Sequence, residues 1–143
     1  MKNLANCTPS EFLRQTVKIK RAVEKWLTVT EVMEIRKRIP ENIPAVTGDM
    51  TTGEREEADK KKREAFEAQA RRNLSAMFDS VMEEHPQETL EVLALCCFVD
   101  PAEVDSHPMT YYLTSVMEMA QDEAVQGFFS WLMRSGLTAT SNR

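Results

Sequence analysis

The sequence predicts an all-α fold: a compact helical domain with a basic N-terminal pair of helices and one long, partly projecting middle helix. Glycine and proline are sparse, at four and six residues of 143, while Glu, Lys, Ala, Met and Leu are abundant. Apolar residues recur at the three- and four-residue spacing of helices. Short capping sequences stand ahead of these apolar segments, which favours helix over sheet throughout.

The first 39 residues are predicted to form a basic helical arm. Residues 8–11 (Thr-Pro-Ser-Glu) form a capping box with proline at the first helical position. Four apolar residues follow helical spacing in the basic segment after it: Phe12, Ile19, Val23 and Trp26. Residues 28–31 (Thr-Val-Thr-Glu) repeat the capping pattern and predict a second short helix, which runs to Ile39 and which Pro40 ends. This second helix closes on the basic run Arg36, Lys37 and Arg38.

The middle of the chain is predicted to be one long helix. Residues 40–50 carry Pro44 and Gly48 and are predicted to form a loop. A capping box at residues 51–54 opens a helix predicted over 51–84, about 50 Å long at 1.5 Å per residue. Its first three turns have Ala58 as their only apolar residue, so we expect them to project into water or to lie along a partner. Further on, apolar residues return and are predicted to join the helix to the core: Phe66, Ala70, Leu74, Met77, Phe78, Val81 and Met82.

Residues 85–136 are predicted to form an acidic helical core. Residues 86–98 are apolar nearly all round, which is typical of a central buried helix. Asp100 is predicted to cap a one-turn helix and Asp122 the last helix, which Gly136 ends. In that last helix five side chains are predicted to be buried: Val125, Phe128, Phe129, Leu132 and Met133. Residues 137–143 are predicted to be a polar tail.

Charge is distributed unevenly along the chain. The net charge is −5, but residues 1–39 have an excess of Lys and Arg while the rest is acidic. The first segment alone could attract an anionic partner, and its two helices allow a helix-turn-helix interpretation. A small DNA-binding regulatory protein is therefore the alternative function. The acidic remainder, the absence of glycine from the linker and the absence of surface aromatic residues disfavour nucleic acid as the partner.

Residues that could carry catalysis or bind a metal form no recognised pattern. His85 and His107 each precede proline, and adjacent Cys96 and Cys97 lack the two-residue gap of metal-ligand pairs. The sequence has no glycine-rich phosphate loop, nucleophile elbow or HExxH pattern. We therefore expect no enzymatic activity, no catalytic residue, no metal site and no cofactor. Free thiols, with no signal peptide and no membrane span, predict a cytoplasmic protein with no membrane partner.

Two blocks of sequence resemble small proteins from the tail-gene clusters of long-tailed bacteriophages and prophages of Gram-positive bacteria. The first block is NCTPSEFLRQT at residues 6–16, with AVEKWL at 22–27 and IRKR at 35–38. The second is EHP at 84–86 with ETLEVLALCCF at 88–98. Such proteins are taken to be tail assembly chaperones. The resemblance implies a non-enzymatic protein of the bacterial host cytoplasm that binds the helical tape-measure protein and tail-tube subunits during assembly, and it carries over no site residue.

Partner binding is predicted on apolar helical surface. Nine methionines supply adaptable thioether side chains, although most of them also suit a core. A helical partner would pack by helix-in-groove contacts, either on the face of the first helix or in a groove between the C-terminal helices. Homo-oligomer formation is left open. The predicted contact residues are Phe12, Ile19, Val23, Trp26, Arg36, Lys37 and Arg38.

Overall fold

Helices make up the architecture of the computed structural model, which describes residues 2–43 and 45–141. They are α1 (Pro9–Thr30), α2 (Val32–Arg36), α3 (Thr52–Asp79), α4 (Pro86–Cys96), α5 (Met109–Gln121) and α6 (Glu123–Ser141). A π-helical turn (Ser80–Glu84) follows α3, and a 3-10 helix (Pro101–Ser106) precedes α5. The described residues contain no strand, and the all-α prediction is confirmed.

One predicted capping box forms in full, and a second forms its N-cap hydrogen bond. At the start of α1, Oγ1 of Thr8 accepts a hydrogen bond from the backbone N–H of Glu11 at 3.3 Å. The Glu11 carboxylate in turn accepts one from the N–H of Thr8 at 3.1 Å. At α3, Oγ1 of Thr51 accepts from the N–H of Glu54 at 3.1 Å. These bonds satisfy amides that a helix leaves without partners, which is why both helices begin where the sequence predicts.

The second short helix that residues 28–31 predict does form, as α2, but these residues do not cap it. α1 continues to Thr30, because the backbone N–H of Glu31 still donates to the carbonyl of Leu27 at 3.1 Å. The chain then turns at Glu31, whose φ of 54° lies in the left-handed region. α2 starts at Val32 without a side-chain cap and ends at Arg36, before the predicted end at residue 39.

The aspartate caps are confirmed, but the end of the last helix is not. Carboxylate oxygens of Asp100 and Asp122 accept backbone N–H groups two and three residues further on, at 3.0 and 2.9 Å. α6 continues through Gly136 to Ser141. A glycine inside a helix costs about 1 kcal/mol relative to alanine, which does not by itself end the helix. The predicted polar tail is therefore helical to Ser141, and residues 142 and 143 lie outside the described residues.

The chain divides into two units. Unit 1 comprises Met1–Trp26 with Gln87–Arg143, and unit 2 comprises Leu27–Pro86. This division differs from the predicted one, which separated residues 1–39 from the acidic core. Within unit 1, the ammonium group of Lys25 lies 3.6 Å from the carboxylate of Glu91. The basic residues of α1 up to Lys25 thus lie in the same unit as the acidic C-terminal helices, where Lys25 and Glu91 form an ion pair.

Unit 1 has a small core of residues from five segments. Tyr112 is the largest of its fully buried side chains, and its hydroxyl donates to the carbonyl of Val104 at 2.6 Å. α4 contributes Ala94, but Leu90 and Leu93 are half-buried, so α4 is not buried all round as predicted. A unit of a few short helices has too little interior to enclose one on every side. The buried apolar residues are Leu4, Ala22, Ala94, Cys97, Tyr112, Met119 and Val125.

Unit 2 buries small and polar side chains of α3. The amide of Asn73 donates to the carbonyl of Arg38 at 2.9 Å, and the hydroxyl of Ser80 donates to the carbonyl of Thr30 at 2.7 Å. Ala58 lies on the same covered face. Large apolar residues that were predicted to join α3 to the core are exposed instead: Phe66, Leu74, Phe78 and Met82. Small and polar side chains let the segment after α2 lie close to α3, and Leu74 and Phe78, which lie on other sides of the helix, stay exposed.

Candidate protein-binding surfaces

The predicted partner-binding face of α1 is directed towards unit 1's own helices. The rings of Phe12 and Phe128 pack edge to face with centroids 5.2 Å apart. The indole N–H of Trp26 donates to the hydroxyl of Thr89 at 2.9 Å. Ile19 and Val23 are half-buried, like Phe12 and Trp26. The partner-binding role of these four residues stays a prediction. Their apolar side chains already contribute to packing within unit 1.

An open apolar groove lies in unit 1 where α1, α4, α5 and α6 meet. Its volume is about 490 Å³. Three buried residues, Leu4, Met119 and Val125, form part of its lining. Half-buried Ile19 and Phe129 also line it. Ile19, one residue of the predicted contact set, thus lines a groove between the C-terminal helices, and the role of this groove in partner binding stays a prediction.

The α6 wall of the groove follows the predicted apolar pattern in part. Val125 is buried, while Phe128 and Phe129 are half-buried. The side chains of Leu132 and Met133 lie outside the described part of the chain. The rings of Phe128 and Phe129 pack at 5.5 Å, nearly perpendicular to each other. α6 therefore supplies aromatic surface both to the interior of unit 1 and to the groove.

The thiols beside the groove are poor nucleophiles. Burial raises the pKa of the Cys96 thiol to about 11, and the neighbouring Cys97 adds to the shift. Burial also raises the pKa of Cys97, which the hydroxyl of Ser115 partly offsets. Because the thiolate is the reactive form, neither cysteine is activated at neutral pH. The groove offers apolar packing surface and no activated thiol.

A second apolar surface lies on α3 in unit 2. We call Phe66, Leu74, Phe78 and Met82 the α3 stripe. These side chains are exposed and lie at multiples of four residues, so they follow one ridge of the helix as it runs into the π-helical turn. The sequence identified these residues as apolar helix positions but assigned them to the core. Sequence periodicity does not show which face of a helix will be covered.

The basic run at the end of α2 has exposed side chains, while hydrogen bonds hold its backbone. The side chains of Arg36, Lys37 and Arg38 are all exposed. The Asn73 amide contacts the carbonyls of Arg36 and Arg38, at 3.5 and 2.9 Å. α2 has five residues, about 7.5 Å, which is too short for a recognition helix lying along a major groove. The helix-turn-helix interpretation therefore fails, although the three cations remain free to contact an anionic surface.

The histidines take local structural roles. The ring of His107 stacks on Tyr111 with centroids 4.1 Å apart, and the backbone N–H of His85 donates to Ser80 at 2.9 Å. Within residues 2–43 and 45–141, no group of three or more His, Cys, Asp or Glu side chains is placed to hold a metal ion. None of the helices in the same ranges combines the length and apolar content needed to cross a membrane.

Comparison with known proteins gives no relative for this chain: no protein-family model, no curated protein and no solved structure matches it. The likeness to tail assembly chaperones therefore rests on the two sequence blocks described above.

Proposed function

We propose that this protein is a non-enzymatic tail assembly chaperone that binds helical segments of the tape-measure protein in the apolar groove of unit 1. The observation that carries the proposal is the groove itself. It is open, about 490 Å³ in volume, and lined by aliphatic, aromatic and thioether side chains such as Leu4, Met119 and Phe129. A surface of this kind accepts the apolar face of a helix and gains little from a charged or sugar-like ligand.

The thioether of Met119 supports binding of more than one helical sequence. Methionine is unbranched and polarisable, so it adapts to apolar side chains of different shape. Two more methionines, Met109 and Met117, are exposed on α5 beside Leu113, and they extend the apolar surface of this helix. A chaperone that covers successive segments of a long helical chain needs this tolerance more than it needs tight binding to one sequence.

The test fills the groove without disturbing the core. Ala120 lines the groove and is exposed, whereas Ala124 is exposed but lies outside it. We expect Ala120→Phe to weaken binding of a helical tape-measure peptide about tenfold or more, and Ala124→Phe to leave it unchanged. Co-expression with the tape-measure protein of the same phage supplies the second readout, its yield in the soluble fraction. Equal solubility with and without this chain, and no recovered complex, would refute the proposal.

DNA binding is the second candidate, and the exposed cations Arg36, Lys37 and Arg38 are the observation that favours it. Binding through phosphates releases counterions and weakens steeply between about 50 and 200 mM salt, whereas apolar docking does not. A fluorescence titration with duplex DNA at these two salt concentrations separates the candidates. Salt-sensitive DNA binding that is lost on replacing the three cations by serine would favour the regulatory function.

A further inference from the structure

A cavity in unit 2 lies where the segment after α2 meets the middle of α3. Its volume is about 630 Å³, and the residues that line it come from ranges 38–42 and 65–72. Arg38 belongs to the first range and Arg72 to the second. Both arginine side chains are exposed, and within the described part of the chain neither forms an ion pair. The fold therefore brings two distant cations to one cavity without neutralising them.

A series of hydrogen bonds connects the two arginines. Nη2 of Arg72 donates to Oε1 of Gln69 at 2.7 Å, and Nε2 of Gln69 donates to Oδ1 of Asn73 at 2.8 Å. Nδ2 of Asn73 donates to the carbonyl of Arg38 at 2.9 Å. Asn73 is only 6% exposed, so the centre of this network is shielded from water. The backbone at Arg38 and the side chain of Arg72 are thus held at the cavity before any ligand arrives.

The rest of the cavity lining is largely apolar. Ile39 is exposed and Pro40 is buried, and small alanines of α3 complete this part of the lining. Glu41 is the one acid among the described residues that line the cavity. Binding sites commonly combine apolar lining with a few polar groups that orient the ligand. The guanidinium of Arg72 keeps further N–H groups beyond the one bonded to Gln69, and such groups pair well with a carboxylate.

We propose that this cavity binds a short acidic segment of a partner protein. A Glu or Asp carboxylate of the partner pairs with Arg38 and Arg72, and an apolar residue next to it packs on Ile39 and Pro40. A phosphate backbone has no apolar side chain to fill this half of the lining, and the net charge of −5 repels a long polyanion more than a short peptide. The site lies in unit 2 and is independent of the groove in unit 1.

The first experiment is a calorimetric titration of the full chain with the end-blocked peptide Gly-Ser-Glu-Leu-Glu-Ser-Gly. Arg72→Gln should weaken binding about tenfold, because a charge-assisted hydrogen bond is lost. Arg71→Gln is the matched control, with an expected change of less than about twofold, since Arg71 is exposed on the same helix and does not line the cavity. Glu41→Gln removes a like charge and should strengthen binding about twofold. Equal weakening by Arg71→Gln and Arg72→Gln, or no binding by the unchanged protein up to about 1 mM peptide, would overturn the proposal.

The second experiment reverses the charges of the site. The double variant Arg38→Glu with Arg72→Glu should lose the acidic peptide and bind an analogue in which Lys replaces each Glu. A neutral analogue with Gln in place of Glu should bind the unchanged protein about tenfold more weakly than the acidic peptide. Circular dichroism checks that the double variant keeps its helices. Equal binding of the acidic and neutral peptides would show that only apolar contacts act, and would overturn the proposal.

Two further measurements separate this site from the other candidate surfaces. Short duplex DNA should not displace the acidic peptide at about 150 mM salt. Displacement by DNA that Arg72→Gln abolishes would overturn the proposal and assign the cavity to phosphate binding. Ala120→Phe alters the groove in unit 1 and should leave binding of the acidic peptide unchanged. Loss of that binding in Ala120→Phe would place the peptide in the groove and refute the cavity as its site.

Discussion

Buried polar side chains hold the segments of unit 2 together. Asn73 on α3 and Ser80 at the start of the π-helical turn are buried, and each donates a hydrogen bond to a backbone carbonyl earlier in the chain, at 2.9 and 2.7 Å. A buried carbonyl that loses its donor keeps the full cost of desolvation. These two bonds therefore specify where the earlier segment lies on α3 more sharply than apolar contact would.

Replacing Ser80 tests this role at the level of one hydroxyl. Ser80→Ala should lower the free energy of unfolding by about 1–3 kcal/mol, because the carbonyl of Thr30 loses its donor. Ser75 is exposed on α3, and Ser75→Ala should change stability by less than about 0.5 kcal/mol. Urea denaturation followed by circular dichroism gives both values. Equal effects of the two substitutions would contradict the role assigned to Ser80.

Thiol chemistry offers a second test at the residue scale. The pKa of Cys96 is raised to about 11 by burial, so very little of it is thiolate at about pH 8. Alkylation of Cys96 in the folded protein should be slow and should accelerate about tenfold per pH unit as the pH approaches 11. Mass spectrometry after timed iodoacetamide treatment gives the rate. Rapid labelling of Cys96 at pH 8, with the protein still folded, would show that the thiol is not buried.

At the scale of elements, the junction between α1 and α2 depends on one left-handed residue. Glu31 has a φ of 54°, and its neighbours on both sides are helical. This conformation is unfavourable for a residue with a Cβ by roughly 1–2 kcal/mol. The bend exists because Val32 and Ile35 are buried beyond it, so their burial offsets the strain.

A glycine at the bend and a glycine inside α2 should have opposite effects on the free energy of unfolding. Glu31→Gly relieves the left-handed strain and should raise the free energy of unfolding by up to about 1 kcal/mol. Glu34→Gly, inside α2 and also exposed, should lower it by about 0.5–1 kcal/mol because glycine loses more backbone freedom in a helix. Thermal denaturation ranks the two variants. An equal loss of stability in both would mean that Glu31 is not strained.

The first turns of α3 show how far local sequence determines an element. Residues 54–64 are predicted to bury no apolar face, and in the structure their side chains are exposed apart from Ala58. The capping box at Thr51 and the absence of proline are sufficient to predict that the segment is helical. Its opposite charges at four-residue spacing, such as Lys61 and Glu57 at 3.6 Å, add a few tenths of a kcal/mol each.

At the scale of the molecule, charge is distributed unevenly within each unit. In unit 1 the basic residues of α1 share a fold with acidic helices, as the Lys25–Glu91 pair shows. In unit 2, residues 60–73 have more cations than acids, and residues 74–84 have acids and no Lys or Arg. A net charge of −5 hides both patterns, because opposite local charges cancel in the sum.

The candidate surfaces were accessible to sequence reasoning only in part. Ile19 was predicted as a contact residue and does line the groove, but Leu4 and Phe129 join it only through the packing of distant segments. The α3 stripe was recognised as apolar and wrongly assigned to the core. Its exposure depends on Asn73 and Ser80 binding carbonyls that lie 35 and 50 residues away in sequence. No local pattern contains that information.

What the sequence by itself determined is the set of helices and most of their starts, because caps, proline and helical spacing act within a few residues. Tertiary structure alone decided which helix faces are covered and that residues 1–26 belong with the C-terminal helices. The physical reason is the separation along the chain over which each interaction acts. A capping hydrogen bond joins neighbours, whereas the choice of buried face is a competition among segments that meet only when the chain is folded.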